Sequence, residues 1–445
     1  MRSVVLAVTA LLVAGCVADG PRLDVAGSPR LERTPRAAVT LERVSTAVPW
    51  PRGLRFHDGR LIVVARGVHR SAGGPDPAIE DRAGTLFVVD PDVGEPVVPG
   101  EPAGRAVREN GRVLAEPTEP PFRLWNRTEP STADTHTDRP YCMLVFDEAS
   151  RNFFLCGYSG IDLPGDAKFR KNATDSVLRY DLRDGRWHVV ESHDPDVVPA
   201  SDLGLAVPNR YYPHHDPSAN PPPHGLLNGP CGAIVVGRYL YVGAKDNTAL
   251  AQYVLDAIRD DPGAGPPPGR LLFHRASPEE DVYVPVEGHG ETYVEGTCAL
   301  AVRDGYLYVA FRTTSQILRF PLTGDGDLVR PLEGQLVAQF APYDPERGGG
   351  SANIYDLTFD AQGRLYVSPA YMGAVYRFVP DPGRVFDPRD EGVEPYVDLR
   401  ALTGNPRART GNIALDDEGN LYIASGNKDV LEGDVRGAIY RVPAS

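Results

Sequence analysis

Apolar and polar positions along this chain repeat one short phrase six times: an apolar segment, a tight turn, then a stronger run of β-branched and aromatic residues. The copies are GLRFHDGRLIVVA from Gly53, MLVFDEASRNFFLCG from Met143, GAIVVGRYLYVGA from Gly232, ALAVRDGYLYVAF from Ala299, DLTFDAQGRLYVS from Asp356 and NIALDDEGNLYIA from Asn412. Their turns carry Gly, Asp, Asn or Ser, residues that accept the backbone angles of a two-stranded hairpin. Six antiparallel hairpins are therefore predicted.

Five copies are followed by a third apolar strand: GTLFVVD at Gly84, SVLRYDL at Ser176, SQILRFPL at Ser315, GAVYRFVP at Gly373 and GAIYRVP at Gly437. A weaker fourth strand appears as GRWHVVES at Gly185, GRLLFHR at Gly269, GQLVAQF at Gly334 and EPYVDL at Glu394. Four-stranded antiparallel blades account for all of these, and six of them make an all-β, six-bladed β-propeller. The one helix-like stretch, Thr248 to Asp261, begins where the third strand of blade 3 is due. The last copy ends at Ser445 without a fourth strand, while AAVTLERVST from Ala37 has β character and no hairpin partner of its own. That segment is predicted to pair with Gly437 to Val442 and close the ring, which removes two exposed strand edges.

The copies, DAQGRLYVS and DDEGNLYIA above all, resemble the six-bladed propellers of the NHL-repeat, strictosidine-synthase-like and gluconolactonase-like (senescence marker) group, over about residues 38 to 445. The resemblance implies the fold; that architecture hosts lactonases, other hydrolases, sugar-oxidising enzymes with a quinone cofactor, sensors and scaffolds, so it does not select among them.

The first sixteen residues, MRSVVLAVTALLVAGC, have the layout of a signal peptide, and VAGC resembles a lipobox, which implies cleavage before Cys16 and lipidation of that residue. Residues 17–37 lack apolar periodicity and are expected to be a disordered tether, leaving 38–445 as the propeller. The expected address is the cell envelope, with the membrane reached only through the N-terminal lipid. A net charge of −14 with no long basic run makes nucleic acid a poor partner. Four cysteines follow Cys16, an even number suited to an oxidising compartment. Cys142 and Cys156 flank one hairpin, and Cys231 and Cys298 occupy equivalent places in neighbouring blades, so two disulfides are expected.

Three segments precede innermost strands and so are expected at the mouth of the central channel: Asp134 to Asp138, Tyr211 to Asn228 and Gly288 to Gly296. They carry His136, His214, His215, His224 and His289, with Asp134, Asp138, Asp216, Glu291 and Glu295, a plausible metal or acid/base set. His224, stiffened by PPPHG, and His289 are the candidate bases. The gluconolactonase-like resemblance implies that acidic and amide side chains at innermost strand starts hold a divalent cation such as calcium; Asp356 and Asn412 match, whereas blade 1 offers Arg52 and Gly53 where that family places a glutamate. No GxSxG elbow, nucleotide-binding glycine loop or CxxCH is present. Two functions remain: a propeller binding a small ligand or protein partner at the channel mouth, or a metal-dependent, lactonase- or esterase-like hydrolase in which the cation polarises a carbonyl.

Overall fold

A computed structural model describes residues 39–65, 84–116, 141–157, 176–192, 227, 229–245, 248–256, 269–273, 281–288, 290–340, 351–426 and 437–444. The chain divides into two compact units, Met1–Arg33 and Thr34–Ser445. The first lies outside the described residues, as do the lipobox and the tether. No helix among the described residues is long and apolar enough to cross a membrane.

The second unit is a six-bladed β-propeller. Blade 1 is built from β2 (Pro51–His57), β3 (Arg60–Ala65), β4 (Leu86–Val89) and β6 (Arg112–Ala115). Blade 2 uses β7 (Tyr141–Asp147), β8 (Asn152–Gly157), β9 (Ser176–Asp181) and β10 (Arg186–Ser192). Blade 3 uses β11 (Pro230–Val236), β12 (Tyr239–Ala244), β13 (Ala249–Val254) and β14 (Gly269–Phe273). Blade 4 uses β17 (Thr297–Arg303), β18 (Tyr306–Phe311), β19 (Gln316–Pro321) and β20 (Gln335–Gln339). Blade 5 uses β21 (Ile354–Phe359), β22 (Leu365–Pro369), β23 (Ala374–Phe378) and the short β24 (Val397–Asp398). The helix-like stretch at Thr248 is thus strand β13, because Ala249 to Tyr253 are buried on both faces of the blade and a sheet pairs their backbone.

Blade 6 closes the ring. Its strands β25 (Ile413–Leu415), β26 (Leu421–Ser425) and β27 (Ala438–Val442) are completed by β1 (Glu42–Ser45), which pairs antiparallel with β27 through Glu42 opposite Arg441. A two-residue strand, β5 (Glu95–Pro96), adds to the outside. Arg441 grips Glu42 through Nε at 2.6 Å, so the two ends of the chain are tied by charge as well as by the ladder.

The innermost strands β2, β7, β11, β17, β21 and β25 contact one another in cyclic order around the central axis. Between blades, the buried faces interleave: Met143, Phe154 and Val177 of blade 2 pack on Leu240, Val242 and Tyr253 of blade 3, and blades 4 and 5 share Tyr308, Ile354, Leu357 and Val367. One element goes beyond the pattern read from the sequence. The hairpin β15 (Val282–Val286) and β16 (Gly290–Val294) stands before blade 4, burying Val282, Val284 and Val286 while Tyr283 faces solvent.

Candidate functional site

Each of the first five innermost strands begins with a β-bulge. Pairing skips one residue between Tyr141 and Met143, Pro230 and Gly232, Thr297 and Ala299, and Ile354 and Asp356, and skips Arg52 and Gly53 against Val64 alone between Pro51 and Leu54. A bulge re-aims the side chains beside it, so the strand starts present two successive rings rather than one. The outer ring, at the strand starts, is Arg52, Cys231, Cys298, Tyr355 and, in blade 6, Gly411, with Cys142 at the corresponding strand position of blade 2. The inner ring, one residue further in, is Gly53, Met143, Gly232, Ala299, Asp356 and Asn412. The cysteines and the Asp356–Asn412 pair, expected at one level, therefore lie on two different ones.

The inner ring is sealed. A Cβ on Gly53 would lie 2.8 Å from the Met143 carbonyl carbon and 2.7 Å from the Leu144 Cβ, and one on Gly232 would overlap the Cys298 carbonyl. Asn412 of blade 6 reaches over Gly53 to place Nδ2 3.3 Å from the Met143 Sδ of blade 2. Asp356 is wholly buried: Oδ1 accepts from the Leu357 amide at 2.9 Å, and Oδ2 accepts from the Ile413 amide at 2.9 Å and from Asn412 Nδ2 at 3.3 Å. Burial pushes its pKa up; the nearby Arg55 charge and the three N–H donors pull the other way without cancelling it. The Asp356 carboxylate oxygens face N–H donors of blades 5 and 6, while Asn412 Oδ1 beside them is buried with no hydrogen-bond partner. The pair works as a latch between those blades.

The outer ring is chemically different. Cys231 and Cys298 form the expected disulfide between blades 3 and 4, with Cα atoms 4.8 Å apart. The expected Cys142–Cys156 bridge lies outside the described residues at the Cys142 side chain; Cys156 is buried, with its Sγ 3.9 Å from the Gly232 carbonyl oxygen, and pairs across the strands with Met143. Across the mouth, Arg52 lies over Gly411, with Nη1 3.4 Å from where a Cβ would stand there. Its guanidinium carbon sits 4.7 Å from the centre of the Tyr355 ring and 5.7 Å from that of Trp50. Arg312, at the end of β18, flanks Tyr355 at 5.1 Å and donates through Nε to Asn353 Oδ1. Trp50, in the left-handed region at φ 51°, packs on Gly426, where a Cβ would overlap the indole.

Of the residues singled out by sequence, His136, His214, His215, His224 and His289 lie outside the described residues, as do Cys16, Asp134, Asp138 and Asp216. Glu291 stands on β16 opposite Pro285 and so belongs to a hairpin, while Glu295, in the short link from β16 to β17, accepts from the Tyr293 hydroxyl at 2.9 Å. Among the described residues no three His, Cys, Asp or Glu side chains gather as a metal cluster would. Arg52, Tyr355, Asn353 and Arg312 were not candidates. Their signal was present: aligning the residue just before each of the six copies brings Arg52 and Tyr355 into one ring with the cysteines.

No family model matches this chain, and no curated protein matches it. Among solved structures it is similar to virginiamycin B lyase from Staphylococcus aureus, at 11% identity and a TM-score of 0.43, over 91% of this chain and 99% of that one. It is also similar to the calcium-binding protein regucalcin from Agrobacterium tumefaciens, at 9% identity and a TM-score of 0.44, over 91% and 93%. A third is the PQQ-bound aldose sugar dehydrogenase from Streptomyces coelicolor, at 13% identity and a TM-score of 0.41, over 90% and 96%. Likenesses this distant assign no residue role.

Proposed function

We propose that this chain is a lipid-anchored extracytoplasmic β-propeller that binds a small molecule or a protein partner at the channel mouth, without chemical conversion. The observation that carries the reading is the change of character between the two rings. Gly53 and Gly232 let neighbouring innermost strands approach backbone to backbone, Met143, Ala299, Asp356 and Asn412 are wholly buried, and Asp356 spends both carboxylate oxygens on N–H donors of blades 5 and 6. One residue outward, the same six strands present a guanidinium, an aromatic ring and a disulfide. Aromatic rings set beside polar groups with unspent donors, above a buried ring, have the make-up of a binding site. The VAGC segment and the Cys231–Cys298 disulfide both suit an exported protein.

The test is a thermal-shift screen of a diverse small-molecule library against the full-length chain in detergent, followed by hydrogen-exchange footprints of the stabilising compounds. Protection of the segments 50–54 and 351–356 is the expected result. Compounds that stabilise the chain while protecting only the outer strands of the blades contradict the reading.

A further inference from the structure

Resting on that reading, we infer that the mouth recognises a carboxylate, with Arg52 as the residue that grips it. Arg52 is 94% removed from solvent, at 6% exposure, yet no oxygen among the described residues accepts a hydrogen bond from its guanidinium; Nε is buried without a partner, and the described contacts of the group are the two ring faces. A buried arginine is ordinarily held by a carboxylate or by carbonyl oxygens, because removing the cation from water is costly. The Trp50 and Tyr355 rings offset part of that cost through their negative faces, but a ring face does not replace the acceptors that five N–H groups require. Asn353 adds a second unspent donor. Its side chain is 1% exposed; Oδ1 is taken by Arg312, and Nδ2 is buried with no acceptor. Arg52, against the Tyr355 ring, and Asn353, bonded to the Arg312 that flanks the same ring, thus stand as donors lacking acceptors, with Arg312 supplying a second positive charge. Such a set is complementary to an anion that brings acceptors only.

The class of anion follows from the surroundings. Trp50 and Tyr355 lie against the guanidinium, which leaves the edge of the fork as the approach for a planar two-oxygen acceptor. The aromatic walls suit an apolar body attached to that acceptor. The chain as a whole carries a net charge of −14, which opposes a multiply charged phosphate more than a monoanion. A carboxylate on an apolar or aromatic body meets all three conditions.

The probes are benzoate, the isosteric but neutral benzamide, and inorganic phosphate, each followed by thermal shift and titration on the full-length chain. Benzoate is expected to raise Tm by about 2–4 °C at saturation, benzamide and phosphate to leave it in place. Arg52→Met keeps the bulk and removes the cation, so the ligand-free variant is expected to melt no lower than wild type and to lose the benzoate response. Arg52→Lys keeps the charge without the fork and is expected to weaken benzoate by about 30-fold or more while folding normally. An equal response to benzamide, or a stronger one to phosphate, overturns the carboxylate assignment while leaving a mouth-binding site in place. A marked drop in Tm for ligand-free Arg52→Met, with Arg52→Lys binding benzoate as wild type does, overturns it by showing the guanidinium to be structural. No response of wild type to any of the three probes also overturns it, and the library screen with its footprints then judges the mouth separately.

Discussion

Asp356 shows how much its surroundings add to a reading made from residue type alone. An acid and an amide at neighbouring strand starts have the composition of a calcium ligand pair, and that is how they read in the sequence. In the fold both are buried, and Asp356 joins β21 to the start of β25 through the Ile413 amide. Replacing it with alanine leaves the Ile413 and Leu357 amides without acceptors, at about 1–3 kcal/mol each, measurable by chemical denaturation. The pH dependence has a definite sign. Because the folded pKa lies above the unfolded value, the folded state holds its proton longer, and this group's contribution is greatest at low pH and declines as pH rises from about 3.8 through the folded pKa. Asp356→Asn removes that decline, so the stability of the variant relative to wild type is expected to improve as pH rises from about 4 in denaturation curves and to level off above the folded pKa. A relative stability that falls as pH rises contradicts that sign.

The strands were legible because each blade repeats one hydrophobic phrase with turn residues at a fixed offset. Even β13, which reads as the first half of a helix, fell where the third strand of blade 3 was due. The hairpin of β15 and β16 was not found, since its buried side, Val282, Val284 and Val286, alternates with Tyr283 and Pro285 in a segment with no counterpart in other blades. The bulges were also hidden. An extra residue in a strand leaves no mark on apolar periodicity, yet it separates the cysteine ring from the Asp356 ring and so decides what can meet what. At this scale the glycine at the inner ring of blade 3 is the most exposed to test: Gly232→Ala forces a methyl against the Cys298 carbonyl, and a loss of at least about 2 kcal/mol is expected by urea denaturation. Retained stability would show that blades 3 and 4 do not approach as closely as described.

At the scale of the whole molecule, ring closure by β1 was readable because a last blade lacking its outer strand and a first segment lacking a partner have one economical solution. Deleting residues 39–46 removes that strand and the Glu42–Arg441 contact, and is expected to abolish cooperative thermal unfolding rather than lower Tm slightly. Reducing the Cys231–Cys298 bridge, which spans 67 residues, is expected to cost about 4 kcal/mol on the chain-entropy account, read from denaturation with and without reductant. What the sequence did not disclose is the division of labour between the inner ring and the ring of Arg52 and Tyr355 above it, because that depends on which residues share a level across six strands far apart in the chain. The most direct test of that division compares two variants, Tyr355→Ala at the mouth and Asp356→Asn one residue further in, for binding of a compound that stabilises wild type. Tyr355→Ala is expected to lose the compound, while Asp356→Asn keeps it at wild-type affinity. Loss in Asp356→Asn with retention in Tyr355→Ala would place the working site in the channel and contradict a binding mouth above a sealed floor.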